Sequence, residues 1–493
     1  MAGCRGPRFL HSRRLLLLSS VSLLSCVILL DFLEEYWRLE DEEEGSIWSE
    51  TAEALDAMDY IRDVKRGNAS LSPLYEQEKE LEEQRFGCRP GRPSGTKESA
   101  ESWTEMAGVY VYSAYFDDRP NSLFPHNSIV QVLVMSFHSL PSSLFCTLSS
   151  SSTSSVVRGH VRELWQRAWD PRRFFFIPLL ISCPVPSSLD SSKELTVELT
   201  RMRCRGAGTS LRVSRRTQPR TKKTVAVCVK GMDFQEDISF RLIEWMEAQF
   251  VFGADSITLY VYSVHPHTRR VLAYYARTAN VEVKKIDLTP GQPGFSSVRS
   301  SYIRRNRQQK RRHEIIPYND CFYRHIHTHK YVLVVDTDEL VVPVKRRQWG
   351  EVLADLEAAS PSMNISSFSI RNVFKLVGQQ KKRRDPKFPL LSSSMRSRQI
   401  SKKGEYGKSF SSTSSVASVF NHFALHRLHS AVSPTIHVPA EMAVKLHFKD
   451  SCPFESRRDC PDLLREAVED FSLGSFEAEI RRRVRRVHAD LGL

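Results

Sequence analysis

Residues Tyr331 to Pro343 read Tyr-Val-Leu-Val-Val-Asp-Thr-Asp-Glu-Leu-Val-Val-Pro, and this stretch decides the fold. Tyr331 to Val335 is apolar and mostly β-branched, without polar alternation, as in a strand buried on both faces of a parallel sheet. Asp336 and Asp338 follow. In an extended chain their carboxylates point to the same side, with Cα atoms about 7 Å apart. Two hard oxygen ligands at the carboxyl end of a buried strand can hold a divalent cation against a diphosphate, and that strand end is where open α/β sheets bind ligands. A surface turn with two solvated aspartates would also carry Asp-x-Asp. The apolar runs on both sides, Tyr331 to Val335 and Leu340 to Val342, favour the buried strand.

Upstream of this stretch, strands and helices alternate. Val225 to Val229 is a short apolar strand; Leu242, Trp245, Met246 and Phe250 then recur at helical spacing, with Gly253 as the stop. Ile257 to Tyr262 is a strand, Thr268 caps a helix through Tyr275, and Val281 to Ile286 is another strand. A basic stretch, Arg299 to His313, leads into a helix from about Tyr318 to His329. Strands alternating with helices through short connections predict parallel βαβ units with right-handed crossovers. Downstream, Trp349 to Ala358 reads as a helix, Ser366 to Phe374 as a strand, Gly378 to Gly407 as a long basic loop, and Ala443 to Phe448 as a strand carrying His447. Val109 to Asp118 is strand-like and opens the folded part. Ser139 to Ser155 and Arg203 to Lys223 read as loops, and no internal repeat is visible.

The chain has 493 residues, with 71 Lys+Arg against 57 Asp+Glu and a net charge of +14. That balance suits nucleic acid, an anionic membrane or phosphorylated substrates. Leu15 to Leu30 carries no charge; Arg5, Arg8, Arg13 and Arg14 precede it, and Asp31, Glu34, Glu35 and Glu40 follow. Positive flanks stay cytoplasmic, so the remainder is expected in the lumen. No Ala-x-Ala site closes the run, which favours an uncleaved anchor over a signal peptide. The expected organisation is a cytoplasmic tail (1–14), a transmembrane anchor (15–33) and a lumenal stem (34–105). After it come the N-terminal part of the lumenal domain (106–224), the catalytic domain (225–475) and a basic C-terminal helix (476–493). A nucleic-acid role would use Arg304 to Arg312 and Lys381 to Arg384, but these runs lack interleaved aromatics and a lumenal chain would not meet nucleic acid.

Of the 10 cysteines, Cys4 and Cys26 fall in the tail and span, which leaves eight for an oxidising compartment. Cys452 with Cys460 is the first expected disulfide. Cys146 with Cys183 is a second pairing, with two buried thiols as its alternative. Without a Cys-x-x-Cys, no zinc module is expected. Asn68-Ala-Ser and Asn364-Ile-Ser are glycosylation sequons.

These segments together resemble glycosyltransferase family 92. The resemblance is carried by Val227-Cys-Val-Lys-Gly-Met-Asp-Phe234, Leu242-Ile-Glu-Trp245, Gln249-Phe-Val-Phe-Gly-Ala-Asp255 and the block from His313 to Arg324. It continues through Val335-Asp-Thr-Asp-Glu339, Arg371-Asn-Val-Phe374, Lys408-Ser-Phe410, Asn421-His-Phe-Ala-Leu425 and Leu446-His-Phe-Lys-Asp-Ser-Cys-Pro453, with Tyr112 to Arg119 as an upstream block. The resemblance implies an α/β GT-A fold with a Rossmann-like, mostly parallel sheet and flanking helices, preceded by a membrane anchor and stem. It further implies type II topology, a Golgi location and inverting transfer of galactose from a UDP-galactose donor to galactose or fucose on a glycan or glycoprotein acceptor, through a β-1,4 linkage.

Residue roles follow from the same resemblance. Asp338 is expected to ligate Mn²⁺ or another divalent cation, while Asp336 touches the metal through water or holds the ribose. His447 resembles the C-terminal metal-binding histidine of such enzymes, although an ordinary half-buried strand histidine fits the local residues as well. From their positions and not from the resemblance, Lys230, at the end of the Val225 strand, and Asn319 and Asp320, on the helix before the Asp336 strand, are expected to reach the nucleotide, with a helix-surface role as the alternative. The inverting step needs a base, for which Glu405, His422 and Glu441 are the candidates. A lumenal glycan-binding or adhesion protein that kept the fold and lost catalysis is the rival reading.

Overall fold

The structure is a computed structural model. It describes residues 95–493 apart from 100–101, 139–140, 142, 173, 204–207, 217–218, 377–384 and 450–465. The expected tail, anchor and most of the stem, together with the Cys452 and Cys460 pairing, lie outside the described residues. Among those described, no helix is long and apolar enough to cross a membrane.

The N-terminal part is a nine-stranded sheet. In chain order its strands are β1 (Gly95–Lys97), β2 (Thr104–Met106), β3 (Val109–Asp117), β4 (Ile129–Phe137), β5 (Leu144–Ser149), β6 (Ser154–Glu163), β7 (Phe176–Pro184), β8 (Thr196–Thr200) and β9 (Thr209–Arg212). A one-turn helix, α1 (Ser187–Asp190), follows β7. The spatial order is β1-β9-β8-β5-β6-β7-β4-β3-β2, and every pair but β1 with β9 is antiparallel. The serine-rich stretch expected as a loop therefore forms β5 and the start of β6. Leu144, Cys146 and Leu148 alternate into the core, and the serines occupy the strand ends. Part of the second expected loop is β9. Cys146 and Cys183 are joined, linking β5 to β7.

The central sheet begins with β10 (Lys223–Phe234), β11 (Ser256–Val264), β12 (Val281–Lys285) and β13 (His329–Val334), parallel in the order β12-β11-β10-β13. Helices α2 (Ser239–Phe252) and α3 (Pro266–Thr278) make the first crossovers. Gly253 ends α2 at φ 105°, a left-handed conformation that favours glycine. The crossover to β13 contains two helices, α4 (Ser296–Arg305) and α5 (Arg307–His325), so the basic stretch expected as a lead-in is itself helical. His265, not Thr268, caps α3; the Thr268 hydroxyl accepts from Ile238 N.

After β14 (Glu339–Pro343) and α6 (Trp349–Ala358), the expected strand at 366–374 divides into β15 (Ser367–Ile370) and β16 (Asn372–Leu376), which join different sheets. The remaining strands are β17 (Met395–Ser397), β18 (Lys408–Ser412), β19 (Val416–Val419), β20 (Ala424–Arg427), β21 (Ile436–His437), β22 (Ala443–Lys449) and β23 (Ala467–Glu469), and α7 (Gly474–Leu491) closes the chain. β18 pairs antiparallel with both β13 and β15. The α/β reading stands, and the sheet is mixed through β18, which enters between β13 and β15 antiparallel to both, while the sheet's other pairs are parallel.

Both faces of the parallel strands are covered. Val225, Val227 and Val229 of β10, with Tyr331, Leu333 and Val335, meet α2, α3, α6 and α7. Ala226, Cys228, Val332 and Val334 point the other way, into a core built from α5 and the N-terminal sheet. Cys228 and Cys321 are joined, fastening β10 to α5.

Candidate active site

The chain leaves β13 at Val334 and turns. Glu339 N donates to Asp336 O at 3.0 Å, so Asp336 and Asp338 flank a tight turn and not the extended segment expected from their spacing. β14 then pairs antiparallel with β22, which places Glu339 opposite His447. Lys445, His447 and Lys449 alternate along β22 and so share one face of it.

Four ammonium groups converge on this turn. Lys230, in β10, lies 3.3 Å from Asp336 Oδ1 and 3.3 Å from Glu314 Oε1. Lys408, from β18, lies 3.4 Å from Asp336 Oδ2 and 3.3 Å from Glu339 Oε2. Lys445 reaches Glu339 Oε1 at 2.6 Å, and Lys449 reaches Asp338 Oδ2 at 2.9 Å. Burial alone would raise the Asp336 carboxyl, but Lys230 and Lys408 outweigh it and hold it well below the usual range. Burial opposes ionisation of Asp338 and Glu339 too; His447 with Lys449, and Lys408 with Lys445, respectively reverse the effect. All three acids are therefore carboxylates at neutral pH.

His447 Nε2 stands 3.5 Å from Asp338 Oδ2 and 3.8 Å from Glu339 Oε1, with its ring stacked on Phe374 at 5.6 Å. Burial, and then Lys445, lower its pKa, which favours the imidazole form that can ligate a cation. Two donors at this separation fit neighbouring positions around one cation, where ligands with ~2.1 Å bonds lie roughly 3 Å apart. Their chemistry, one carboxylate and one imidazole, suits Mn²⁺. A separate trio, Asp237, His265 and His267, brings ligand atoms within 4.8 Å of one another. It sits at the N-terminal ends of α2 and α3, where the helix dipoles oppose a cation, and Asp237 already accepts from Ser239 N.

The turn opens into a cleft of about 610 Å³ at the carboxyl ends of the parallel strands. Its lining includes Lys230, Gly231, Asp233, Tyr262 and Leu288, with Arg304, Arg307, Lys310 and Arg311 of the basic run. A Cβ on Gly231 would stand 2.2 Å from the Tyr262 ring, so only glycine lets β10 approach it. Arg299 holds Asp233 through two hydrogen bonds, at 2.9 and 3.3 Å. Aromatic side chains, among them Trp165, Trp169, Phe374, Tyr406 and Phe420, line it as well. Asp336, Glu339, Lys445, His447 and Lys449 line it too; Asp338 meets the cleft through Lys449 and His447, which line it and contact Asp338.

Several expected site residues fall elsewhere. Asn319 is fully buried; its side chain binds Ile315 O, Val419 O and Val419 N, and so fixes α5 to β19. Asp320 is buried too, accepting from Tyr115 at 2.7 Å and Tyr260 at 2.5 Å, and so ties the N-terminal sheet to the central one. Neither lines the cleft. On α5 both face the packed interior, not the cleft. Among the base candidates, Glu405 and Glu441 also lie outside the cleft lining. His422 lines it, but its Nδ1 hydrogen goes to the Gly407 carbonyl at 2.7 Å and its Nε2 accepts from Asn421 at 3.1 Å. Burial, and then Lys408, bring it down to about 3, too weak a base for neutral pH. His422 instead orients Asn421, whose Oδ1 receives Lys408 at 2.5 Å.

Sequence reasoning missed Glu339, Lys408, Lys445, Lys449 and Glu314. For β22 a signal existed, since Lys445-Leu-His-Phe-Lys449 places both lysines on the face of His447.

A search of the curated proteins returns no match. Among solved structures, the chain is similar to S. aureus TarS 1-349, at 16% identity over 33% of this chain and 38% of that one (TM-score 0.19). It is similar to S. aureus TarS at 14% identity over 33% and 23% (TM-score 0.19). To 4-diphosphocytidyl-2C-methyl-D-erythritol synthase it is similar at 11% identity over 50% and 98% (TM-score 0.22). The chain thus spans less than half the length of either TarS chain. The sequence pattern of Glycosyltransferase family 92 matches residues 223–484. That segment is more than half of the chain and contains the entire central sheet and the turn from Asp336 to Glu339, so the chain belongs to glycosyltransferase family 92.

Proposed function

We propose that this glycosyltransferase is a metal-dependent, inverting galactosyltransferase. In this reading it moves galactose from UDP-galactose to a galactose- or fucose-terminated glycan in β-1,4 linkage, as a type II protein of the Golgi membrane. Family membership and the quoted motifs support the donor and acceptor; the charged, then apolar N-terminal sequence supports the location. The observation that carries the reading is the meeting of Asp336, Asp338 and His447 with four lysines at the carboxyl end of β13.

Transfer from a nucleotide sugar requires charge on the departing diphosphate to be offset. Lys230, Lys445 and Lys449 line the cleft and supply fixed positive charge beside it. Asp338 and His447 would hold Mn²⁺, which neutralises diphosphate charge as a Lewis acid. Tyr262 and Leu288 would offer the uracil an apolar surface, and Asp336, fixed by Lys230 and Lys408, would touch the metal through water or hold the ribose.

The test is UDP release by the full-length protein, titrated with Mn²⁺ and a panel of UDP-sugars, with galactose- and fucose-terminated glycans as acceptors. Release selective for UDP-galactose and lost with chelator is the expected result. Release from another donor overturns the galactose assignment, and release that survives chelation overturns the metal assignment.

A further inference from the structure

We propose that the N-terminal β-sheet domain supplies part of the acceptor site, with Trp169 as the aromatic platform on which the acceptor's sugar ring lies. The proposal rests on the donor-end reading above and adds the residue that recognises the second substrate. Residues 164–172 connect β6 to β7 and reach across to the central domain. Trp169 is half-buried and lines the cleft together with Phe420 and His422. Its ring lies 4.5 Å from Phe420, edge-on, and 6.4 Å from His422.

The segment is fixed in place by a residue of the central domain. Arg312, fully buried, binds Asp170 Oδ2 at 3.0 Å and stacks over Trp165 at 4.3 Å. Trp165 Nε1 closes the segment on Asp170 O at 3.0 Å, and Arg172 pairs with Asp170 at 2.7 Å. The segment that carries Trp169 is thus held, and the Trp169 ring packs on Phe420 and Trp165, before any substrate arrives, which lowers the ordering cost of binding. A continuous chain runs from the first acid of the turn to this platform. Asp336 contacts Lys408 at 3.4 Å, Lys408 contacts Asn421 at 2.5 Å, and Asn421 contacts His422, the neighbour of Trp169. The indole therefore borders the place where a transferred sugar must meet its acceptor.

The chemistry of this end suits a sugar better than a second nucleotide. A hexose presents one face of C–H bonds and a rim of hydroxyls. Aromatic rings cover the first, and nearby polar side chains can bind the second. Around Trp169 the rings of Trp165, Phe420 and Phe423 gather, with His422 and Asn421 beside them.

The test compares full-length wild type with Trp169→Ala and Trp169→Phe, measuring KM for acceptor and donor separately, with glycan-array binding of the same proteins. Expected for Trp169→Ala is an acceptor KM about tenfold higher or more with an unchanged donor KM, and for Trp169→Phe a value in between. An unchanged acceptor KM, or an equal rise in both constants, overturns the proposal while leaving the transferase reading intact. If wild type shows no transfer from any donor, the donor reading fails. The array then decides the platform alone, since glycan binding lost in Trp169→Ala upholds it and binding retained or absent in wild type overturns it.

Discussion

The Lys449 ammonium lies 2.9 Å from Asp338 Oδ2, the same oxygen that faces His447 Nε2 at 3.5 Å. Lys449 thus stands where a cation shared by Asp338 and His447 would compete with it. Its side chain is about a third exposed, so it can swing aside. Replacing it with an uncharged chain of similar length, Lys449→Met, is expected to tighten Mn²⁺ binding by about tenfold, because the competing charge is gone. A Mn²⁺ titration followed by electron paramagnetic resonance checks this. Unchanged or weaker binding would place the metal elsewhere.

Asp338→Ala is expected to lower Mn²⁺-dependent turnover by about 100-fold or more, on the scale of losing one electrostatic contact to a transition state. The melting curve should move little, because Asp338 and Lys449 are partly exposed and such pairs contribute about 0–1 kcal/mol. Turnover that keeps both its rate and its Mn²⁺ dependence would remove Asp338 from the metal site.

Asp320 separates a structural role from a nucleotide-binding one. It is wholly buried and satisfies the hydroxyls of Tyr115 and Tyr260, which come from different sheets. Asp320→Ala leaves both hydroxyls without that acceptor, at a cost of about 3 kcal/mol or more in urea unfolding. UDP affinity of the folded protein should stay as it was. A selective loss of UDP affinity at normal stability would return Asp320 to the nucleotide site.

How far the sequence could be read depended on the range of each interaction. The two-sided burial of β13 is written into Tyr331 to Val335, and Gly253 marks the end of α2 through its own backbone. The Asp336 turn is also local, but its partners are not. Lys408 and Lys445 arrive from strands that the sheet order alone brings alongside. Asn319 and Asp320 looked like ligands because their polarity was legible while the N-terminal sheet that covers α5 was not. Cys228 and Cys321 are separated by 93 positions, and connectivity over such a distance does not follow from spacing.

Glu244 gives a pH dependence with a defined sign. It is buried in α2, and its carboxyl oxygens accept from Leu390 N at 2.6 Å and Leu391 N at 2.7 Å. Burial nevertheless dominates those hydrogen bonds and raises the carboxyl from 4.5 to about 7. Between these values the folded protein keeps a proton that the unfolded chain has released. Its stabilisation is therefore full below 4.5 and is lost as pH rises toward 7, by about 3 kcal/mol in total. Glu244→Gln has no proton to lose, so its unfolding free energy should be flatter across that window than that of the wild type. Denaturant melts at half-unit pH steps compare the two slopes, and parallel profiles would mean that Glu244 is ionised in the fold.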